Sequence, residues 1–543
     1  MNGLMMDMPL SLTSLLKRTK QNYPEKEIVS YLANNTAHRY KNKDFYKRTL
    51  RLMSVLRKLG IKEGDRVATF AWNSFRHYEL YFAIPCSGAV LHTLNIRLFP
   101  EQLEYIVNHA EDKVIFIDHS LAKLLAPLAS KFPKVQNFIL MDDGVPAGVE
   151  LPNALDYETL LAEAKEDFPL FDIPENQAAG LCYTSGTTGD PKGVLYSHKS
   201  FFLHSMGICF ADSLALSERD RALPVVPMFH ANAWGIPYGA AMTGSSLIFP
   251  GPNMGGPALA EILEKEKVTL AAGVPTIWKL LYQHLKSKKH DLSKLNRMVI
   301  GGSAVPRSMI ESFQKEFNIP ILHAWGMTEL SPVGTVSRLT SEMEEWDLDK
   351  QITWRAKQGM NVPCVEVKVL DDEEKELPWD GKSVGELLVR GPWIAKSYYN
   401  NPTANTNFTP DGWFRTGDVV KIDEYGFMEI TDRKKDLIKS RGEWISSVDM
   451  ENLTMAVPGV LEAAAIGKPD PMREEVPVVF VVLTPDEKQK PDSSRVNAKV
   501  VHDFLGKHFA HWQLPKLADI LFVDVIPKTS VGKFDKKELR KRI

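Results

Sequence analysis

From about residue 65 to residue 326 the chain repeats one pattern: a short apolar, β-branched run, then a longer segment with apolar residues at helical spacing, then another run. DRVATFAW, AVLHTLN and KVIFID read as strands separated by the helical segments HYELYFAIPCSGA and PEQLEYIVNHAED. Beyond a turn-rich stretch from Gly144 to Pro152, LIFPG, VTLAAGV, RMVIGGS and PILHAW alternate with GPALAEILEKEK, PTIWKLLYQHLK and PRSMIESFQKEF. Strands separated by helices require a parallel sheet covered by helices. The second block is a second α/β sheet or the second half of a pseudo-repeat. At 543 residues the chain also exceeds one core, because domains usually hold about 50 to 250 residues.

After about residue 360 the texture changes to short strands cut by Gly, Pro and Asp: VEVKVLDD, GELLVRG and YGFMEIT. The basic run from Asp432 to Asp436 follows, and then about 110 residues that read as helix, two strands, helix and strand. A charge run is commonly a solvated turn; at a change of texture it reads equally well as a domain joint. The expected architecture is α/β, with a large N-terminal domain (1–432) of two helix-covered sheets plus a small β subdomain at about 360–431. A small mobile α+β C-terminal domain (433–543) follows.

Composition narrows the function classes. Lys plus Arg (66) nearly balances Asp plus Glu (68), so no global field draws the chain to nucleic acid, and an anion must be held locally. Cys86, Cys182, Cys209 and Cys364 form no CxxC pair, which argues against a disulfide framework or thiolate zinc site and fits a reducing, cytoplasmic compartment. No uncharged apolar run approaches the roughly 20 residues needed to span a bilayer. The leading segment, broken by Asp7 and followed by Lys17 and Arg18, is expected to pack as a helix rather than act as a signal peptide. The terminal KKELRKRI carries neither a peroxisomal address nor a prenylation box.

The most specific string is Tyr183-Thr-Ser-Gly-Thr-Thr-Gly-Asp-Pro-Lys-Gly-Val194, between the strand-like QAAGLCYTS and GVLYSH. Gly186, Gly189 and Gly193 free the backbone to expose successive N–H groups. Thr184, Ser185, Thr187 and Thr188 add hydroxyls, and Lys192 adds a cation. Such a loop can wrap a polyphosphate, yet it is not a Walker A loop, because Pro191 precedes Lys192 and Gly193 follows it.

With this string the sequence resembles the adenylate-forming superfamily of acyl-CoA synthetases, luciferases and peptide-synthetase adenylation domains. Further motifs follow in that family's order: Trp325-Gly-Met-Thr-Glu329, Gly412-Trp-Phe-Arg-Thr-Gly-Asp418, Asp432-Arg433 with Lys435 at the hinge, and Pro527-Lys-Thr-Ser-Val-Gly-Lys533. The resemblance implies that Trp325, where most members have Tyr, stacks on adenine. It implies that Glu329 and Thr184 hold Mg2+, that Asp418 accepts from both ribose hydroxyls, and that Arg433 contacts ribose or phosphate. Lys533 is expected to bridge the substrate carboxylate and the α-phosphate. Ser303, Ala304, His323, Ala324, Gly326, Met327 and Thr328 complete the expected ATP site.

Val226-Pro-Met-Phe-His-Ala-Asn-Ala-Trp-Gly-Ile-Pro-Tyr238 looks like the medium- and long-chain fatty acyl-CoA synthetase branch. There His230 lies by the acyl carbonyl and Trp234 gates the acyl tunnel, with Gly301 and Gly302 as a further wall. A His in an apolar run is a core residue about as often, and a Trp is usually packing. The resemblance also implies that the final domain rotates between two half-reactions, presenting Lys439, Gly442, Glu443 and Trp444 for a coenzyme A step.

The function expected is an AMP-forming fatty acid:CoA ligase using ATP, Mg2+ and coenzyme A. The alternatives are a ligase for a short thioether acid such as 3-methylmercaptopropionate, or an enzyme passing acyl-AMP to another acceptor. A non-catalytic binder is disfavoured by the complete set Glu329, Asp418, Arg433 and Lys533. A homodimer and transient contact with a membrane surface are compatible with the resemblance.

Overall fold

The structure is a computed structural model that describes residues 1, 3–184, 190–440, 443–529 and 533–543. Its body is built on two large sheets. The first has seven strands, running in space Ala154–Asp156, Asn137–Met141, Val114–Asp118, Arg66–Phe70, Val90–Thr93, Ala178–Tyr183 and Gly193–Ser197. All neighbours are parallel except the last pair. The second has nine strands, with Arg221–Pro224, Ser246–Phe249, Leu270–Gly273, Arg297–Gly301 and Ile321–Gly326 in its parallel centre.

The alternating block therefore makes two sheets rather than one continued sheet. One member of the second comes from far upstream: Glu27–Tyr31 pairs in parallel with Ser246–Phe249 and antiparallel with Ala37–Lys41. Toward the other edge, Val333–Val336 turns back antiparallel on Ile321–Gly326, and Met360–Asn361 pairs outside it. The leading helix begins only at Leu12 and runs to Asn22, burying Leu12, Leu15 and Leu16, so the first ten residues are not part of it.

Four antiparallel strands, Glu366–Leu370, Gly385–Arg390, Phe414–Ile422 and Met428–Arg433, form the small third sheet. The segment after it holds Ser447–Met455 as a helix, the long hairpin Val460–Asp470 with Glu474–Leu483, the helix Ala498–Leu505 and the strand Ile520–Phe522. The sequence reading omitted the small hairpin Ile438–Ser440 with Glu443–Ile445 and the final helix Lys536–Arg540. Both are too short to show a period. This segment has its own apolar core, with Ile438, Met450, Val479, Val481 and Leu505 buried together. Among the described residues, no helix is long and apolar enough to cross a membrane.

Candidate active site

The ends of several strands meet between the body and the C-terminal segment. Tyr183 lies opposite Gly193 in the antiparallel pair. Just beyond it, Thr184 N donates to Lys192 O at 2.9 Å and Lys192 N donates to Thr184 Oγ1 at 3.1 Å, closing the neck of the Gly/Thr loop. Ser185, Gly186, Thr187, Thr188 and Gly189 lie outside the described residues. Tyr399 N donates to Gly193 O at 2.8 Å, and Lys192 Nζ stands 5.0 Å from the centre of the Tyr398 ring.

Ile321–Gly326 ends in the Trp-Gly-Met-Thr-Glu motif. Trp325 is buried, and a Cβ on Gly334 would lie 2.6 Å from its ring, so the antiparallel neighbour can pass there only with glycine. The indole Nε1–H donates to Asp418 Oδ2 at 2.9 Å. Asp418 sits opposite Arg433 in the third sheet, and Arg433 Nε reaches Asp418 Oδ1 at 3.1 Å. Among the described residues each carboxylate oxygen thus has one partner; with about four lone-pair sites on a carboxylate, each retains room for one more donor. Glu329, in the short turn Thr328–Leu330, is buried and accepts from the Tyr398 hydroxyl at 2.6 Å. His323 also lines the larger cleft described below, with its Nδ1 bonded to Ala356 O at 2.8 Å, and burial lowers its pKa to about 4.

Two adjoining clefts open here. One of about 440 Å³ is lined by Gly302, Ser303, Ala304, Trp325, Asp418 and Lys533, among others. The second, about 320 Å³, is lined by Thr184, Lys192, His230, Trp234, Glu329 and Tyr398, and shares Trp325, Arg433, Lys435 and Lys533 with the first. Ala324 and Gly326 line both, and Met327 and Thr328 line the second.

The wall carrying His230 is held under strain. Buried Asn73 clamps the approach: its Nδ2 donates to Pro224 O and Val226 O, each at 2.8 Å, and its Oδ1 accepts from Met228 N at 2.7 Å. Beyond His230 the backbone turns left-handed through four non-glycine residues, Ala231, Asn232, Ala233 and Trp234, with φ of 43°, 53°, 48° and 55°. Each costs about 1–2 kcal/mol, so the turn persists only because its surroundings hold it. Asn232 Oδ1 is 3.3 Å from Cys182 Sγ, which is itself 3.2 Å from Thr93 Oγ1. The turn lays the buried Trp234 ring beside Gly301, where a Cβ would lie 3.2 Å from the ring and 2.5 Å from Ala324 O.

Electrostatics separate the two basic groups at the centre. Burial first, then Lys533 and Arg97, lower the His230 pKa to about 4, so the imidazole is neutral at pH 7. Burial and the Arg433 guanidinium lower Lys533 to about 8, against the opposing pull of Asp418 and Glu329. Thr529 N donates to Lys533 O at 2.7 Å and Lys533 N to Thr529 Oγ1 at 3.3 Å, closing the turn that carries the lysine.

Lys435 lines both clefts, and Arg540 from the final helix donates to its carbonyl at 3.2 Å and to Asp436 Oδ1 at 2.8 Å. Lys439 and Trp444 are not brought to the clefts. They pair across the small hairpin, where Lys439 Nζ meets Glu474 Oε1 at 3.1 Å and Trp444 is 48% exposed. Glu443 belongs to the same hairpin by backbone register, and Gly442 lies outside the described residues.

Sequence reading missed Tyr398, Asn73, Asn232 and Cys182. Tyr398 stands in Ser397-Tyr-Tyr-Asn-Asn-Pro402, two aromatics before a turn signal, which was legible as a turn but said nothing of Glu329.

An α/β body with a β subdomain and a capping α+β segment, whose motif residues meet in one pair of clefts, defines an adenylate-forming enzyme. The family model for AMP-binding enzyme matches residues 16–399, and that for AMP-binding enzyme C-terminal domain matches residues 449–533. The chain belongs to the AMP-binding enzyme family. It is 44% identical to a long-chain-fatty-acid–CoA ligase of Thermus thermophilus over 99% of this chain and 96% of that one. It is 43% identical to a 3-methylmercaptopropionyl-CoA ligase of Ruegeria lacuscaerulensis over 99% and 98%. Among solved structures, ATP-bound MatB from Rhodopseudomonas palustris superposes with a TM-score of 0.83 at 26% identity, covering 98% of this chain and 99% of that one.

Proposed function

We propose that the protein is an AMP-forming fatty acid:CoA ligase. The observation that carries this reading is the convergence of Trp325, Glu329, Asp418, Arg433 and Lys533, from segments far apart in sequence, on two clefts that share a wall. In the first half-reaction an oxygen of the substrate carboxylate attacks the α-phosphorus of ATP, the bond to the β-phosphate breaks, and pyrophosphate leaves. Charge accumulates on phosphoryl oxygens, so the protein's work is positioning and cationic stabilisation.

Asp418, oriented by Trp325 and Arg433, accepts from the ribose hydroxyls. The Lys533 ammonium sits between the carboxylate and the α-phosphate. Neutral His230 faces the same space and hydrogen-bonds the carboxylate without adding a competing charge. Glu329, with one hydroxyl partner among the described residues, and Thr184 in the same cleft form the oxygen donor set that suits Mg2+ shared with phosphates. The ion would supply neutralising charge at the phosphates.

In the second half-reaction the coenzyme A thiolate attacks the acyl-AMP carbonyl carbon and AMP leaves. Lys439 and Trp444 lie outside both clefts while Lys533 is inside. That arrangement supports an adenylation posture, with residues 433–543 rotating about Lys435 before the thioester step.

A second reading, a ligase for a short thioether acid, is favoured by one observation: the buried Trp234 ring against Gly301 limits the depth beyond His230. The test is AMP release with acids from C3 to C18 and 3-methylmercaptopropionate, with and without coenzyme A. A maximum at medium or long chains that requires coenzyme A for turnover supports the first reading. A maximum at the thioether acid supports the second, and equal turnover without coenzyme A overturns both.

A further inference from the structure

Where the C-terminal segment closes over the body, one side chain of the body reaches across. Lys279, half-buried on the helix Pro275–Ser287, donates through Nζ to the carbonyl oxygen of Leu461. That acceptor is unusual. In the hairpin Val460–Asp470 with Glu474–Leu483, Val460 pairs with Leu483 and Glu462 with Val482, and the register shifts between them, leaving Leu461 as the extra residue. A bulge takes its residue out of the ladder and re-aims its polar groups, and bulges are common beside active sites.

The neighbouring residue continues the connection. Glu462 Oε1 pairs with Lys528 Nζ at 2.5 Å, and Lys528 lies opposite Phe534 across the turn that carries Lys533. Lys279, Leu461, Glu462, Thr529 and Lys533 all line the 440 Å³ cleft. Other hydrogen bonds between body and C-terminal segment lie beside the joint: Ser446 Oγ donates to Thr431 O, Ser447 N to Asp432 Oδ2 at 2.6 Å, Lys434 N to Gly417 O at 2.9 Å and Lys434 Nζ to Glu386 Oε2 at 3.2 Å. Contacts so near a pivot do little to fix the far end of a rotating body, whereas Lys279 acts on the strand next to the Lys533 turn.

We propose that Lys279 is a positioning residue for adenylation: by capping the Leu461 bulge carbonyl it latches the C-terminal segment in the orientation that places Lys533 in the site. The latch rests on the two-posture reading above. It acts on one posture only, because rotation about Lys435 withdraws the carbonyl, so its loss shifts the balance between postures without touching reacting atoms.

The test compares wild type, Lys279→Met and Lys279→Arg in the full chain. Single-turnover pyrophosphate release from acid and ATP without coenzyme A reads the first half-reaction; thioester formation from supplied acyl-AMP and coenzyme A reads the second. Lys279→Met is expected to slow the first about tenfold, the scale of one charge-assisted hydrogen bond, and to leave the second within about twofold. Lys279→Arg restores most of the loss.

A readout independent of chemistry accompanies this. Spin labels at Lys289→Cys and Lys507→Cys, both exposed, in a Cys364→Ser background report the distance between body and C-terminal segment. Lys279→Met should broaden that distribution toward other distances. An unchanged distribution, or equal losses in both half-reactions, overturns the latch. If wild type forms no acyl-AMP from any acid, the ligase reading fails while the distance measurement still decides the latch.

Discussion

Trp325 and Asp418, 93 residues apart, are joined by an indole Nε1–H donated to Oδ2 at 2.9 Å. One residue thereby offers an aromatic face to the clefts and fixes the carboxylate assigned to ribose. Arg433 holds the other oxygen at 3.1 Å, so Asp418 is oriented from both sides before any nucleotide arrives.

Trp325→Phe keeps an aromatic face and removes the donor. The cost of freeing one buried carboxylate oxygen is about 1–3 kcal/mol. We expect the KM for ATP to rise roughly tenfold with a smaller change in kcat, since orientation of the ribose is felt in ground and transition states alike. Steady-state kinetics with ATP varied at saturating acid checks this; an unchanged KM refutes the orienting role.

Lys533 is lowered to about 8, so it is charged below that pH and loses its proton as pH rises through it. Its stabilisation of phosphoryl charge should follow. The kcat/KM for adenylation is expected to decline above pH 8, by roughly tenfold per unit at the alkaline end. Lys533→Arg, always charged, should show a lower but flat profile. Lys533→Ala should lose adenylation yet convert supplied acyl-AMP and coenzyme A to thioester. A wild-type profile flat to pH 10 contradicts the assignment.

Glu329→Gln preserves shape and the Tyr398 hydroxyl contact but removes the charge. Adenylation should fall by about 10²–10³, the usual scale for losing one electrostatic stabiliser. The Mg2+ concentration giving half-maximal rate should rise as well, and a magnesium titration of both proteins reads it. Equal midpoints would exclude Glu329 from the metal.

Trp234→Ala tests pocket depth. Each methylene newly buried contributes about 0.8 kcal/mol, close to fourfold in kcat/KM. Removing the ring beside Gly301 should raise kcat/KM for C12–C16 acids relative to C4–C6 acids, measured as AMP release across the series. A ratio that stays constant would place the acyl chain elsewhere.

Much of this molecule was legible before folding was considered. The alternation of strands and helices, the texture change near residue 360 and the motif strings depend on local period and turn chemistry, which neighbouring residues set together. Thr184, Glu329, Asp418, Arg433 and Lys533 could be named because their strings resemble those of the adenylate-forming superfamily, and all line the clefts. The left-handed turn after His230 was not legible, because four non-glycine residues adopt it only under restraint from surrounding packing, in which Asn232 meets Cys182 from 50 residues away.

What tertiary structure decided are the pairings between distant segments. Glu27–Tyr31 joins the second sheet, Tyr398 meets Glu329, Trp325 meets Asp418, and a bulge at Leu461 turns a carbonyl toward Lys279. A sequence period says that a face must be buried or a polar group satisfied. Which distant partner does so depends on how whole sheets and segments pack, and that choice is made only when the chain closes on itself.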